Sequence, residues 1–451
     1  MSSPNDRAWY SGISRYQWLV LLIASLGWVF DIFEGQIFVA SMREAMPALV
    51  GEGADHPEVK RWIDLSFGSF LLGGAFGGVL FGMLSDRIGR ARTMVVTILV
   101  YSFSTCVTAF AQEPWHMAGL RFFVAMGVGG EWAVASAMVA EVMPDRSRPV
   151  MSSIFHASSV FGTLLAIAAG ALIVANPALG WRWGFALGAL PALLTLWIRW
   201  KLREPDQWVK ARERAKQDAT YQTGRLVELF QGPNLRNTLV GVSLASIGLV
   251  TFWGGHIYGK NALLRHAQQQ TPADEQVAED ADEDAINAAQ EKRRARIKRA
   301  EMLSMTLNTI GGGLGLVLFG AISNRLGRKG AFIFYHLVAF FMMLFLFEGL
   351  IARQASAMWL AITLPVFGFF TLGMHAGYAV YFPELYPTRL RGSGAGFCFN
   401  MGRLATAAAF FLFATYPVSD ERKAVILAPL YLVGIAIVLL ARETRGEELP
   451  E

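Results

Sequence analysis

"GMLSDRIGRAR", Gly82 to Arg92, returns later in the chain as "GAISNRLGRKG", Gly320 to Gly330. A second pair follows in the same order, "EVMPDRSRPV" (Glu141 to Val150) and "ELYPTRLRGS" (Glu384 to Ser393). The offsets are 238 residues from Asp86 to Asn324 and 243 from Glu141 to Glu384. Two motifs repeated in order at nearly one period mark a duplicated unit.

Around these loops the chain is apolar: of 451 residues 54% are hydrophobic and 17% charged, a composition foreign to soluble domains. Hydropathy predicts spanning helices near 17–40, 63–84, 93–112, 116–140, 149–174, 181–200, 236–259, 302–323, 331–351, 357–380, 393–415 and 424–441. Two sets of six result, 1–202 and 236–451, joined by a polar linker at 203–235 that opens on "REPDQW". The first 16 residues are polar and the apolar run after them is long, which reads as an uncleaved first helix. The net charge of +5 is what basic inner loops produce, so no nucleic-acid partner is implied. Cys106 and Cys398 stand alone in apolar segments and suggest neither a disulfide framework nor a metal site.

Basic residues follow every even-numbered helix: Arg87, Arg90 and Arg92; Arg146 and Arg148; Lys201 and Arg203; Arg325, Arg328 and Lys329; Arg389 and Arg391; Arg442 and Arg445. Both termini are therefore expected in the cytoplasm of a multi-pass inner or plasma membrane protein. An insertion at 266–301, acidic at Asp274, Glu275, Glu279, Asp280, Asp282, Glu283 and Asp284 and then basic, falls on the outer side. It reads as a solvated helical hairpin whose halves neutralise one another, with a partner-docking site as the alternative.

The loop chemistry is specific. Gly82 and Gly89 permit a tight turn and close helix approach, Asp86 suits a helix N-terminus, and Arg87 and Arg90 can make charge-assisted bonds. A generic basic loop would explain the arginines but not their spacing.

Charges at membrane depth are the other signal. In "GWVFDIFEG", Gly27 to Gly35, Asp31 and Glu34 share one helix face. "LRFFVAMGVGGEW", Leu120 to Trp132, adds Arg121 and Glu131, and "FCFNMGRLA" adds Asn400 and Arg403. Ionisable groups in a bilayer are costly and mark function or bundle-bracing pairs. Of the buried histidines, His156, His256, His336 and His375, His256 with Tyr258 in "FWGGHIY" is the candidate for the outer half of a cavity, where Glu34 could meet it.

The pattern Gly-x-x-x-Asp-Arg-x-Gly-Arg-x-Arg resembles the signature loop of the major facilitator superfamily, over essentially the whole chain apart from the insertion. The resemblance implies an all-α membrane fold of twelve helices in two pseudo-symmetric bundles, transporting by alternating access. It implies a conformational latch at Asp86, Arg87, Gly89 and Arg90, with a weaker copy at Arg325 and Arg328 because Asn324 replaces the acid. The helix 4 and "NMGR" motifs are similar to those of aromatic-acid and sialic-acid type proton symporters, while "PELYPTRLRGSG" looks like the sugar porters. The expectation is a proton-coupled symporter, working as a monomer, for a small organic anion held by Arg403, Asn400, Arg121, His256 and Tyr258. Asp31, Glu34 and Glu131 would carry the proton. A sugar or polyol transporter, an exporter and a non-transporting sensor are the alternatives. No cofactor and no enzymatic activity are implied.

Overall fold

The computed structural model describes residues 9–451 apart from 55, 175–178, 219–220, 271, 273–274, 276–282 and 416–417. The acidic residues Asp274, Glu279, Asp280 and Asp282 of the insertion, and residues 1–8, lie outside the described residues. The first bundle holds α1 (Arg15–Val50), α2 (Pro57–Ile88), α3 (Arg90–Thr108), α4 (Pro114–Val142) and α5 (Arg148–Val174). Its sixth helix, α6, comes in pieces, Gly180–Ala186, Leu187–Ala189 and Ala192–Lys201, interrupted before Pro191. A short polar helix, Asp206–Gln217, starts the linker.

The second bundle opens with α7 (Gly232–Gln269). Next, α8 and α9 form one helical run, Glu283–Ile351, which Gly327 breaks at φ 80°. Gly89 makes the matching turn between α2 and α3 at φ 117°, and both turns use backbone space that a side chain would close. The bundle ends with α10 (Ala357–Leu385), α11 (Arg391–Thr415) and α12 (Asp420–Leu427 continued by Pro429–Leu440). Among the described residues nine runs are long and apolar enough to cross a membrane. The run holding α8 and α9 supplies two helices, and the broken α6 and the polar-studded α11 complete the twelve.

Several helices exceed their expected lengths, α1 and α8 among them. α1 continues to Val50 because Met42, Ala45 and Met46 stay buried against Val59 and Trp181, and Gly51 then caps it at φ 79°. α8 begins nineteen residues ahead of 302, at Glu283, because alanine, glutamate, lysine and arginine dominate that stretch and are strong helix formers. Arg296 folds the insertion back by donating to both Glu275 oxygens, at 2.5 and 2.6 Å, and to the carbonyls of Ala267 and Gln270. Lys292, Arg293, Arg294, Lys298 and Arg299 stay exposed.

The bundles meet along two related contacts. α2 packs on α11, where a Cβ on Gly82 would sit 2.6 Å from the Gly392 oxygen. α8 packs on α5, where Gly320 approaches the Pro149 carbonyl just as tightly. Each contact pairs the first glycine of a repeated loop with the start of the other bundle's fifth helix.

Candidate functional site

Small residues set the centre. Gly127 of α4 lets α3 approach until a methyl there would lie 2.8 Å from the Tyr101 backbone, which brings Thr97 and Tyr101 beside Glu131. Gly74 and Gly78 of α2 leave room for Arg403 and Asn400 of α11, since a Cβ on either would overlap those side chains. Polar groups of the second bundle therefore reach the face of the first. Asn400 donates to the Gly129 carbonyl of α4 at 3.3 Å, and Trp132 stacks on Phe399 with ring centroids 4.0 Å apart.

Asp31 is 1% exposed, its carboxylate has no well-formed hydrogen bond among the described residues, and the Tyr101 hydroxyl is a donor turned toward it. Its electrostatic neighbours are Glu131, Glu34 and, across the seam, Arg403. Arg403 keeps a buried, unpartnered Nη1, and Asp31 is the charge that acts on it. Glu131 accepts from the Thr97 hydroxyl on one oxygen and is unpartnered on the other. Unsatisfied buried charges are rare because each costs several kcal/mol unless a ligand, proton or ion completes it.

Arg121 joins this cluster only through Glu34, and His256 and Tyr258 lie apart from it. Arg121 donates to Glu34 at 2.8 Å within the first bundle, its guanidinium 4.5 Å from the Phe38 ring and 5.3 Å from Phe185. His256 bonds to Thr371 Oγ1 at 2.7 Å and is stacked between Phe252 and Phe367 inside the second bundle. The expected Glu34–His256 pair is thus replaced by two pairs, one inside each bundle, because each bundle supplies its own nearer partner. Tyr258 is half-buried, with Arg265 and Lys423 over its ring at 5.4 and 5.7 Å.

A second constellation ties the bundles at the face that carries the repeated loops. Asp86 accepts from Gly392 N at 3.0 Å, Ser393 N at 2.8 Å and Ser393 Oγ at 2.5 Å, capping the first turn of α11. Arg90 donates to Asp86 at 2.8 Å and to both oxygens of Glu141 at 2.7 and 3.1 Å. Glu141 in turn accepts from Arg391 of α11 at 2.8 Å. Arg87 and Arg325 are exposed and stay outside this network.

In the second bundle Arg328 donates to Glu384 at 2.9 and 3.0 Å, and Thr444 adds a 2.6 Å bond to the same carboxylate. Two further repeated acids, Glu204 and Glu443, cap the helices that follow the repeated loops. Glu204 accepts from the N–H groups of Arg90, Ala91 and Arg92, and Glu443 from those of Arg328, Lys329 and Arg445. Burial works against the charge of Glu443, and those N–H groups outweigh it, holding its carboxyl below the usual range. Sequence reasoning missed both acids, although "REPD" and "RETR" follow the sixth and twelfth helices at matching places.

Two six-helix bundles packed along a seam of opposed buried charges define a polytopic membrane transporter. The profile of the Major Facilitator Superfamily matches residues 18–410. The chain is 27% identical over 411 residues to the sialic acid transporter NanX of Escherichia coli (strain K12), covering 91% of this chain and 89% of that protein. It is 28% identical over 347 residues to the cis,cis-muconate transport protein of Acinetobacter baylyi, covering 76% and 75%. The fold matches the proton:xylose symporter XylE bound to 6-bromo-6-deoxy-D-glucose with a TM-score of 0.71 at 18% identity, over 96% of this chain and 98% of that one. The chain belongs to the major facilitator superfamily and is a secondary transporter.

Proposed function

We propose that this transporter is a proton-coupled symporter of a small organic anion, with Arg403 gripping the anion's carboxylate and Asp31 holding the coupling proton. The observation that carries the reading is the Asp31–Arg403 pair: a buried carboxylate and a half-buried guanidinium whose Nη1 is buried and unpartnered, on opposite bundles, acting on one another without forming an ion pair among the described residues. Guanidinium presents a planar fork suited to a carboxylate. When the anion neutralises Arg403, protonation of Asp31 removes the charge left behind, so the fully loaded carrier crosses with fewer uncompensated charges than a half-loaded one. Asn400 lies one turn before Arg403 and supports the anion site, and Glu131 is a second proton acceptor.

Arg121 with Glu34 braces the first bundle in this reading, and His256 and Tyr258 belong to the outer half of the second. Asp86, Gly89, Arg90 and Arg391 form the conformational latch, a role supported by the bonds Asp86 and Glu141 make across the seam. The bundles are bounded at 1–202 and 236–451, the loop face is cytoplasmic with both termini, and the monomer in the inner membrane is the working unit. Names of the relatives that carry sialic acid and cis,cis-muconate, both acids, support the substrate class.

The test is uptake into proteoliposomes from a panel of labelled monocarboxylates, dicarboxylates, sugars and amino acids under an imposed pH gradient. Accumulation of acids is expected, abolished by a protonophore and by Asp31→Asn, with Asp31→Asn keeping substrate counterflow. Uptake confined to sugars, or insensitive to the gradient, overturns the reading.

A further inference from the structure

α3 carries Thr97, Tyr101 and Thr105 one helical turn apart, so their hydroxyls form one stripe. The stripe meets three of the first bundle's buried acids, Glu131, Asp31 and Glu34, in order. Thr97 donates to Glu131. Thr105 lies with Glu34 Oε2 against Gly188 of α6 and spends its own hydroxyl on the Tyr101 carbonyl at 2.8 Å. Tyr101, between them, is 1% exposed, and its hydroxyl is turned toward Asp31 without completing a well-formed hydrogen bond among the described residues. Its electrostatic neighbours are Asp31, Glu131 and Glu34.

A buried phenol without a well-formed hydrogen bond is costly, and here it faces carboxylate oxygens in the same condition, both of Asp31 and Oε1 of Glu131. Close packing of α3 on Gly127 fixes it in that place. We propose that Tyr101 is a positioning residue of the coupling site, its hydroxyl bridging Asp31 and Glu131 and passing the proton between them. The inference rests on the proton-symport reading above.

The transfer balances without a co-reactant. The O–H bond of protonated Glu131 breaks as its proton joins Tyr101 Oη, and the phenol's own proton leaves for an Asp31 oxygen. Tyrosine is neutral before and after, and the negative charge moves from Asp31 to Glu131. The charged and titratable groups facing this path are Asp31 and Glu34 from α1, Glu131 from α4, Arg121 held by Glu34, and Arg403 from α11 acting on Asp31, while α6 presents Gly188. The charge on Asp31 is the one Arg403 feels. Moving it to Glu131 frees the guanidinium for the substrate carboxylate.

The test compares wild type and Tyr101→Phe in proteoliposomes, using the labelled acid of the panel that wild type accumulates best. Gradient-driven net uptake should fall about 100-fold in Tyr101→Phe, the low end of what a positioned proton donor contributes. Counterflow without a gradient, which needs no net proton movement, should stay within about twofold, since one hydroxyl is lost from a site that keeps its carboxylates and guanidinium. As a second probe, difluorotyrosine at position 101 keeps the shape and gives up its proton more readily. It should move the pH optimum of net uptake downward and leave counterflow unchanged.

Unchanged net uptake in Tyr101→Phe, or an unshifted optimum with difluorotyrosine, overturns the relay. If Tyr101→Phe loses counterflow as well, the difluorotyrosine profile alone decides. Wild-type uptake that ignores the pH gradient sinks the symport reading itself, a result separate from the behaviour of either Tyr101 variant.

Discussion

At the α2–α11 contact Asp86 accepts three hydrogen bonds from across the seam, whereas at the α8–α5 contact Asn324 occupies the equivalent place and its side chain, among the described residues, accepts from Arg328 of its own bundle at 3.4 Å. The partners differ in step. Gly392 and Ser393 correspond by the 243-residue offset to Pro149 and Val150. Proline has no N–H and valine no hydroxyl, so an acid at 324 would find two of its three donors missing. Arg391 reaches across to Glu141 at 2.8 Å, while its counterpart Arg148 turns inward to the Ala140 carbonyl and Asp145. One duplicated loop therefore bonds the two bundles ionically, and the other leaves a packing contact of Gly320 on Pro149. An alternating carrier whose two contacts are unequal can hold one strongly and slide along the other.

The most damaging way to probe this difference is Glu141→Gln. Its carboxylate is the shared acceptor for Arg90 and Arg391, and all three side chains are fully buried. Neutralising it leaves Arg391 without its carboxylate and Arg90 with Asp86 alone, at about 3–5 kcal/mol for a broken buried ion pair, and thermal unfolding in detergent should show a drop of many degrees or no folded protein. Glu384→Gln serves as the internal control: it deprives Arg328 alone, within one bundle, and should melt at an intermediate temperature. Equal melting of the two variants would contradict the asymmetry.

Asp86→Asn comes next, because it copies Asn324 into the first loop. The amide oxygen still accepts, but the charge and one acceptor are lost, worth about 1–3 kcal/mol for a charge-assisted set. Occupancy of the state open to the loop face should rise about 5- to 100-fold. Alkylation of a cysteine introduced along the α2–α11 seam would read it, with net transport slowed as the cycle loses its resting state. Asn324→Asp should not produce the opposite effect alone, since Pro149 lacks an N–H and Val150 a hydroxyl. If it slows labelling by itself, the donor argument fails.

Much of this was legible beforehand, for physical reasons that also mark where legibility stops. The repeated loops stand out because glycine and arginine at fixed spacing survive only where a turn and a bonded network demand them, and Gly89 and Gly327 do take positive φ. Asp31, Glu131 and Arg403 stand out because a charge in an apolar helix is costly wherever it points. Pairing is another matter. Whether Arg121 turns to Glu34 or to a substrate depends on rotamer and helix rotation, which hydropathy does not encode. Tyr101 is invisible for a related reason: a phenol in an apolar helix reads as packing until its hydroxyl is seen to face buried carboxylates. Glu204 and Glu443 hide among charged loop residues, where only their bonds to helix N–H groups distinguish them.

The smallest effect expected within the comparison is at the exposed arginines, and it limits how far the loop signature can be read as function. Arg325 is exposed, and the bond recorded at this residue uses its backbone carbonyl, which accepts from Arg445 at 2.9 Å. Arg325→Gln should leave that bond in place and change stability by no more than about 0.5 kcal/mol. Arg87 is also exposed, and its side chain makes one long bond, 3.5 Å to the Gly224 carbonyl. Arg87→Gln should therefore cost slightly more than Arg325→Gln and far less than any change at Arg90, whose guanidinium is fully buried among Asp86, Glu141 and the Thr388 carbonyl. Melting temperature and initial uptake rate for the three variants would rank them. An Arg325→Gln defect as large as that of Arg90→Gln would mean that the second loop engages a partner through its exposed face, and the view of that loop as a packing contact would have to be abandoned.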